Sequence, residues 1–266
     1  MLAAALSLVI VSAVMKLVDF FARRPAETTA EIGNSEPSGS ANGANDESAR
    51  REMVERQLRA RGIHSARVLE AMATVPRHRF VLPEHAGQAY ADSWLPIDAG
   101  QTISQPYMVG AMADALSLEG HEKVLEIGAG SGYQAAVLSL LAREVVAVEW
   151  QPALAGAARE RLARLVFQNV RIESGDGSLG WPPDAPYDAI LVTAGAPSIP
   201  PPLIEQLSEG GRLVIPVGPA GQQDLVRVVK RDGRTMQQSL FACRFVPLLG
   251  RYGWPPGTRT QEPYRG

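Results

Sequence analysis

The stretch Val124-Leu125-Glu126-Ile127-Gly128-Ala129-Gly130-Ser131-Gly132-Tyr133 admits few folds. Val124 to Ile127 is a short apolar strand, and Tyr133 to Leu141 has helical spacing. The glycines between them allow a tight turn that brings the backbone against a ligand, with the following helix presenting its N-terminus to it. The spacing of the turn restricts the ligand. A dinucleotide fingerprint needs G-x-G-x-x-G, whereas the glycines here fall at Gly128, Gly130 and Gly132, and no lysine follows as a P-loop requires.

The rest of the chain extends that unit by alternation. Val145 to Val148, Val170 to Glu173, Ala189 to Val192 and Leu213 to Val217 read as strands. Pro152 to Val166 and Leu203 to Leu207 read as helices. Strands that alternate with helices predict an α/β fold, a doubly wound and mostly parallel sheet. Leu225 to Val229 and Ser239 to Val246, joined through Asp232-Gly233, predict a C-terminal antiparallel pair. Two N-terminal helices precede the sheet. One runs from Ser48 to Arg61 with Gly62 as its stop, and one from Ala66 to Thr74 with Ser65 as N-cap and Pro76 as breaker. Between Arg77 and Gln105 there is little periodicity, and a long ordered loop of this kind is usually functional. A further helix begins at Pro106.

The 266 residues are 45% hydrophobic and 20% charged, which suits one globular domain, placed here at 48–250. A net charge of -2 with scattered basic residues gives no footprint for nucleic acid. The single cysteine, Cys243, allows no internal disulfide, and His64, His78, His85 and His121 are too far apart in sequence for a metal cluster, so no metal is expected. Residues 1–24 are apolar apart from Lys16, Asp19, Arg23 and Arg24. They read as an uncleaved anchor that tethers the domain to the inner face of a membrane, or as a mis-assigned start. Without such an anchor no membrane contact is expected, and the protein is a cytoplasmic monomer. Residues 25–47 have the composition of a flexible linker, and 251–266 form a tail rich in Pro, Gly and Arg.

Two more features join the glycine turn. Glu149 stands at the end of the strand after it, where an acidic side chain can accept both hydroxyls of a ribose. Asp176-Gly177 follows the next strand on the same carboxyl edge. Each alone is explained by a tight turn or a solvated surface. In this order they favour S-adenosylmethionine, with Gly128, Gly130, Gly132, Glu149, Asp176 and Gly177 as cofactor-binding candidates.

Further segments carry a resemblance. Pro76-Arg77-His78-Arg79-Phe80-Val81, Gly100-Gln101-Thr102-Ile103-Ser104-Gln105-Pro106-Tyr107-Met108, Pro186-Tyr187-Asp188-Ala189-Ile190, Gly210-Gly211-Arg212-Leu213 and Arg244-Phe245-Val246-Pro247-Leu248 accompany the glycine turn and Gly175-Asp176-Gly177. With them the chain, from about Ser48 to Leu249, resembles the bacterial protein-L-isoaspartate O-methyltransferases. That resemblance implies the class I S-adenosylmethionine-dependent methyltransferase fold and methyl transfer to the free carboxylate of isoaspartyl residues in damaged proteins and peptides. The product ester then closes to a succinimide, which initiates repair. It also implies that Ser104 is the active-site serine and that Gln101, Thr102, Ile103 and Ser104 cover the methionine end of the cofactor. Val246, Pro247 and Leu248 would line the peptide groove. Asp98 and Ala99 depart from the expected loop.

The nucleophile in this chemistry is a carboxylate, ionised at neutral pH with a pKa near roughly 4, so no general base is needed. Alignment and exclusion of water supply the acceleration, and Ser104 serves as a hydrogen-bond donor rather than a covalent nucleophile. The plain alternative for Ser104 is a cap on the helix begun at Pro106. A small-molecule methyltransferase with the same cofactor fold and a non-catalytic adenosyl-binding module are the other functional readings. Deletion through Glu47 is expected to leave a folded enzyme with full activity, checked by circular dichroism and methyl-transfer assay of the truncated chain.

Overall fold

The computed structural model describes residues 39–258, so the apolar segment 1–24 and residues 25–38 of the linker lie outside the described residues. Helix α1, Gly39–Met53, starts inside the stretch read as linker. It passes through a π-helical turn, Val54–Leu58, and a tighter turn, Arg59–Arg61, before Gly62 stops it at φ 92°. Arg50 Nε donates to the Ala73 carbonyl at 2.5 Å, and Asp46 lies 3.7 Å from His78. A truncation after Glu47 therefore begins within the helix. The contacts it removes, Asp46 with His78 and Glu47 with Arg51, are partly or largely exposed, and pairs of that kind contribute about 1 kcal/mol or less. Among the described residues no helix is long and apolar enough to cross a membrane.

Helix α2, Ala66–Thr74, is capped as its sequence predicts, the Ser65 hydroxyl accepting from the Val68 amide at 3.4 Å. The irregular stretch after it holds short 3-10 turns and two paired dipeptides, β1 (Leu95–Pro96) and β2 (Thr102–Ile103), which run antiparallel. Helix α3, Pro106–Leu116, uses proline at its first turn, where the missing N–H costs nothing.

The sheet contains β3 (Lys123–Ile127), β4 (Glu144–Glu149), β5 (Val170–Ser174), β6 (Tyr187–Val192), β7 (Leu207–Val217), β8 (Gln223–Arg231) and β9 (Arg234–Cys243). Their spatial order is β5-β4-β3-β6-β7-β8-β9. The first five are parallel and the last two antiparallel, with Asp232 and Gly233 both at positive φ in the hairpin turn. Helices α4 (Tyr133–Ser139), α5 (Pro152–Arg164) and α6 (Pro201–Glu205) make the crossovers. Several boundaries differ from the sequence reading: β7 begins at Leu207 instead of Leu213, β9 at Arg234 instead of Ser239, and α4 and α5 end two residues early. The helix placed over Leu203 to Leu207 ends at Glu205, because Leu207 already pairs with Tyr187 as the start of β7. The last strand ends at Cys243, and residues 244–248 leave the hairpin for a different partner.

Strand alternation divides the core in two. Leu125, Ile127, Val146, Val148, Ile190 and Val192 pack on one face with Leu203 of α6. Val124, Val145, Ala147, Ala189 and Leu191 pack on the other with α2, α3, α4 and α5. Because the chain leaves β3 toward β4 and returns on its other side at β6, the carboxyl ends of β3 and β6 diverge into a crevice.

Glu126 sits within the second core, paired in register with Ala147 and Leu191, and neither carboxylate oxygen has a hydrogen-bond partner. Burial, reinforced by the nearby Glu149 carboxylate, pushes its carboxyl well above the ordinary range. A raised carboxyl pKa contributes stability at pH below the ordinary value and loses it as pH rises through the folded-state value. Glu126→Gln, which cannot ionise, is therefore expected to gain stability relative to wild type as pH is raised from 4.5 to 8. Urea melts at the two pH values read this directly, and an offset independent of pH would refute the charge argument.

Candidate active site

The glycine turn is built by contacts that side chains would spoil. Gly128, at φ 95°, donates from its amide to the Val148 carbonyl at 2.8 Å. Thr193, just past β6, donates its hydroxyl to the Gly128 carbonyl at 2.6 Å, and a Cβ on Gly128 would fall 2.5 Å from that hydroxyl oxygen. Gly130 adopts φ 52° and its amide donates to Glu149 Oε2 at 2.9 Å, while the Gln151 amide donates to Oε1 at 3.0 Å. The buried Glu149 carboxylate thus ties the loop after β3 to the loop after β4. A carboxylate has about four acceptor positions, so one lone pair on each oxygen remains for a vicinal diol. Gly132 serves packing instead. It caps α4 at φ 86°, and a Cβ there would lie 3.3 Å from Leu162 of α5.

A cavity of about 700 Å³ opens where these loops meet, a volume suited to a ligand the size of an adenosyl amino acid. Gly128, Gly130 and Glu149 line it from the sheet side, and Gln101, Thr102, Ile103 and Ser104 from the loop before α3. Gly177 also lines it, though a Cβ there would stand 2.4 Å from Ile127, so its glycine is needed for packing against β3. Val246, Pro247 and Leu248 complete the opposite wall. The residues present fit S-adenosylmethionine: a cradle in which Gly128 and Gly177 leave no room for a Cβ and Gly130 holds a positive φ, a carboxylate with spare acceptor positions, and a pocket of matching size.

Gly132 and Asp176 are not among the lining residues. Asp176 caps a short turn, accepting from the Ser178 amide at 2.9 Å and the Ser178 hydroxyl at 2.6 Å, and it accepts from the Arg251 amide at 2.8 Å. Through Oδ2 its carboxylate also clasps the C-terminal segment. Sequence reasoning missed Trp150, Gln151, Thr193 and Ala194, which follow β4 and β6 directly, and Gly257 and Thr258 from the tail. For the first four the signal was available: residues just beyond the carboxyl ends of neighbouring parallel strands are placed to line the crevice.

The loop that carries Ser104 is shaped by β1 and β2, with Leu95 opposite Ile103 and Pro96 opposite Thr102. Ala99 and Gly100 take the positive φ values that their turn requires. The N-cap of α3 is Gln105, without a side-chain cap hydrogen bond, so Ser104 does not cap that helix. Ser104 lines the cavity, and its carbonyl accepts from Arg77 Nη2 at 2.7 Å. Across the cavity, Gly195 donates to the Val246 carbonyl and accepts from the Leu248 amide, both at 2.8 Å, which pins the 246–248 segment beside the end of β6. Trp254 extends the tie, its indole donating to the Gly195 carbonyl at 3.1 Å.

Sheet order, glycine turn and the carboxylate ending the second strand define a methyltransferase of the class I S-adenosylmethionine-dependent type. A family model described as Protein-L-isoaspartate(D-aspartate) O-methyltransferase matches residues 48–253, and the chain belongs to that family. It is 56% identical over 205 residues to a protein-L-isoaspartate O-methyltransferase of Methanoculleus marisnigri, covering 77% of this chain and 93% of the relative. It is 55% identical over 207 residues to that of Geobacter metallireducens, covering 77% and 96%. A solved protein-L-isoaspartate O-methyltransferase superposes with a TM-score of 0.68 at 30% identity, covering 76% of this chain and 67% of the other. A Plasmodium falciparum beta-aspartate methyltransferase, in complex with S-adenosyl-L-homocysteine, superposes with a TM-score of 0.65 at 25% identity, covering 75% and 98%.

Glu149→Ala removes the acceptor for two loop amides and for a ribose. Cofactor binding measured by calorimetry is expected to weaken by about 1–3 kcal/mol, the cost of leaving such groups unpaired.

Proposed function

We propose that this chain methylates the free α-carboxylate of L-isoaspartyl residues in damaged proteins and peptides, with S-adenosylmethionine as methyl donor. The observation that carries the reading is the family match over residues 48–253. When bound, the cofactor supplies a methyl group on a sulfonium, electrophilic enough for in-line displacement. The protein contributes position. Gly128, Gly130, Gly177 and Glu149 hold the adenosyl portion, and Gln101 to Ile103 close over the methionine end. The Ser104 hydroxyl donates to the substrate carboxylate. Val246, Pro247 and Leu248 take the peptide backbone.

No general base belongs to this scheme, because the attacking carboxylate is ionised well below neutral pH. No cluster of His, Cys, Asp or Glu suited to a metal occurs among the described residues. The ester leaves the enzyme and closes to a succinimide without catalysis, whose hydrolysis returns part of it to normal aspartate. The enzyme acts as a monomer in the cytoplasm. Two features support this: the only exposed large hydrophobic side chains among the described residues are Trp94, Trp150 and Met236, too few for a broad apolar interface, and Cys243 is a free thiol.

The test pairs substrate with mutation. An isoaspartyl peptide should be methylated on the order of a hundredfold faster than its aspartyl twin, because the aspartyl carboxylate misses the methyl carbon by about an ångström. Ser104→Ala should lower kcat on the isoaspartyl peptide with cofactor affinity unchanged, and the wild-type rate should stay flat from about pH 6 to 8. Equal methylation of both peptides would sink the substrate assignment.

A further inference from the structure

Arg77 is the bulkiest fully buried side chain among the described residues, and nothing in the reaction uses it. Burying a guanidinium is costly unless its donors are well matched. Here Nε donates to the Ala89 carbonyl at 2.7 Å and Nη2 to the Ser104 carbonyl at 2.7 Å. Nη1 has no hydrogen-bond partner in the described chain, so full satisfaction does not explain the burial. The guanidinium carbon lies 4.9 Å from the ring centroid of Tyr133, the first residue of α4 and itself part of the cavity wall. Burial lowers the pKa of Arg77 to about 10, which leaves it charged at neutral pH.

The direction of these bonds carries the argument. One donor holds the irregular stretch before β1, and the other holds the main chain of Ser104, which lines the cavity. A guanidinium presents several N–H groups in a rigid plane and can span two carbonyls at fixed geometry, whereas a lysine ammonium is a point donor on a flexible stem. We propose that Arg77 is a positioning residue for methyl transfer: by gripping the Ser104 carbonyl from inside the core, it sets where the Ser104 hydroxyl meets the substrate carboxylate. This inference rests on the reading of Ser104 given above. It differs from ordinary core stabilisation in its target: the donated hydrogen bonds go to Ala89 and Ser104, whereas Glu149 is held by the Gly130 and Gln151 amides and makes no contact with Arg77.

A double-mutant cycle tests it. Arg77→Lys, confirmed as folded by circular dichroism, should lower kcat on an isoaspartyl peptide by about ten- to a hundredfold, the effect of a sub-ångström to ångström misplacement. S-adenosylmethionine affinity should stay within about twofold. In a Ser104→Ala background the same substitution should cost almost nothing further, since the group it positions is gone. If Arg77→Lys fails to fold, Arg77→Met, which keeps the apolar volume of the side chain, takes its place in the cycle. Additive losses, unchanged kcat in a folded variant, or failure of both variants to fold would each overturn the proposal. Wild-type turnover in Ser104→Ala alone overturns the serine reading and this inference with it, whereas an impaired Ser104→Ala with additive losses overturns this inference only.

Discussion

Two amide hydrogen bonds to one carboxylate hold the carboxyl edge of this sheet together. Glu149 accepts from Gly130 on one side and Gln151 on the other, joining loops that follow neighbouring strands. Each amide belongs to a turn that would otherwise face the crevice with an unpaired donor, which is costly in a buried place. The same carboxylate fixes the spacing of the cleft before any ligand enters, so little of the binding free energy goes into ordering the loops. Nearby, burial and then the Glu149 carboxylate favour the uncharged form of Glu126. Two acids on adjacent strands thus differ in hydrogen-bond supply: Glu149 has amides and Glu126 has none.

That edge determines what the remaining segments do. A parallel sheet points all its carboxyl ends one way, so the loops after β3, β4 and β6 converge without direct sequence contact. The loop before α3 and the 246–248 segment then close the space from outside the sheet. Neither is held by regular secondary structure of any length. The first depends on a two-residue ladder and a buried arginine, and the second on a pair of hydrogen bonds to Gly195. The side of the cleft lined by the glycine turn and Glu149 is accordingly built on the rigid core, and the side lined by the loop before α3 and the 246–248 segment on short tethers to it.

How much of this was legible follows from the range of the interactions. The strands β3, β4 and β6 announce themselves as largely apolar runs and β5 as an alternation, and Ser65 and Asp232-Gly233 are local signals that the structure reproduces with the expected conformations. The glycine turn and Glu149 were legible because their order along the chain maps directly onto neighbouring strands. Asp176 follows β5 on the same edge, and what the sequence does not reveal is that its side chain also bonds Ser178 and Arg251, the latter distant in sequence. The short α6 hides between prolines and a strand that begins earlier than its apolar run, since Gly210 and Gly211 interrupt the pattern of β7. Arg77 was opaque altogether, because a charged residue reads as surface until both carbonyls that receive it are known.

The clasp between Asp176 and the segment around Arg251 links the turn after β5 to the wall of the cleft. Arg251 and Tyr252 bond Asp176 and Ser178, and Gly257 and Thr258, a few residues further on, line the cavity. Trp254, between them, bonds the Gly195 carbonyl just past β6. One short segment is thus fastened to the ends of two strands, and a disturbance at either fastening reaches the cavity through the main chain rather than through the core.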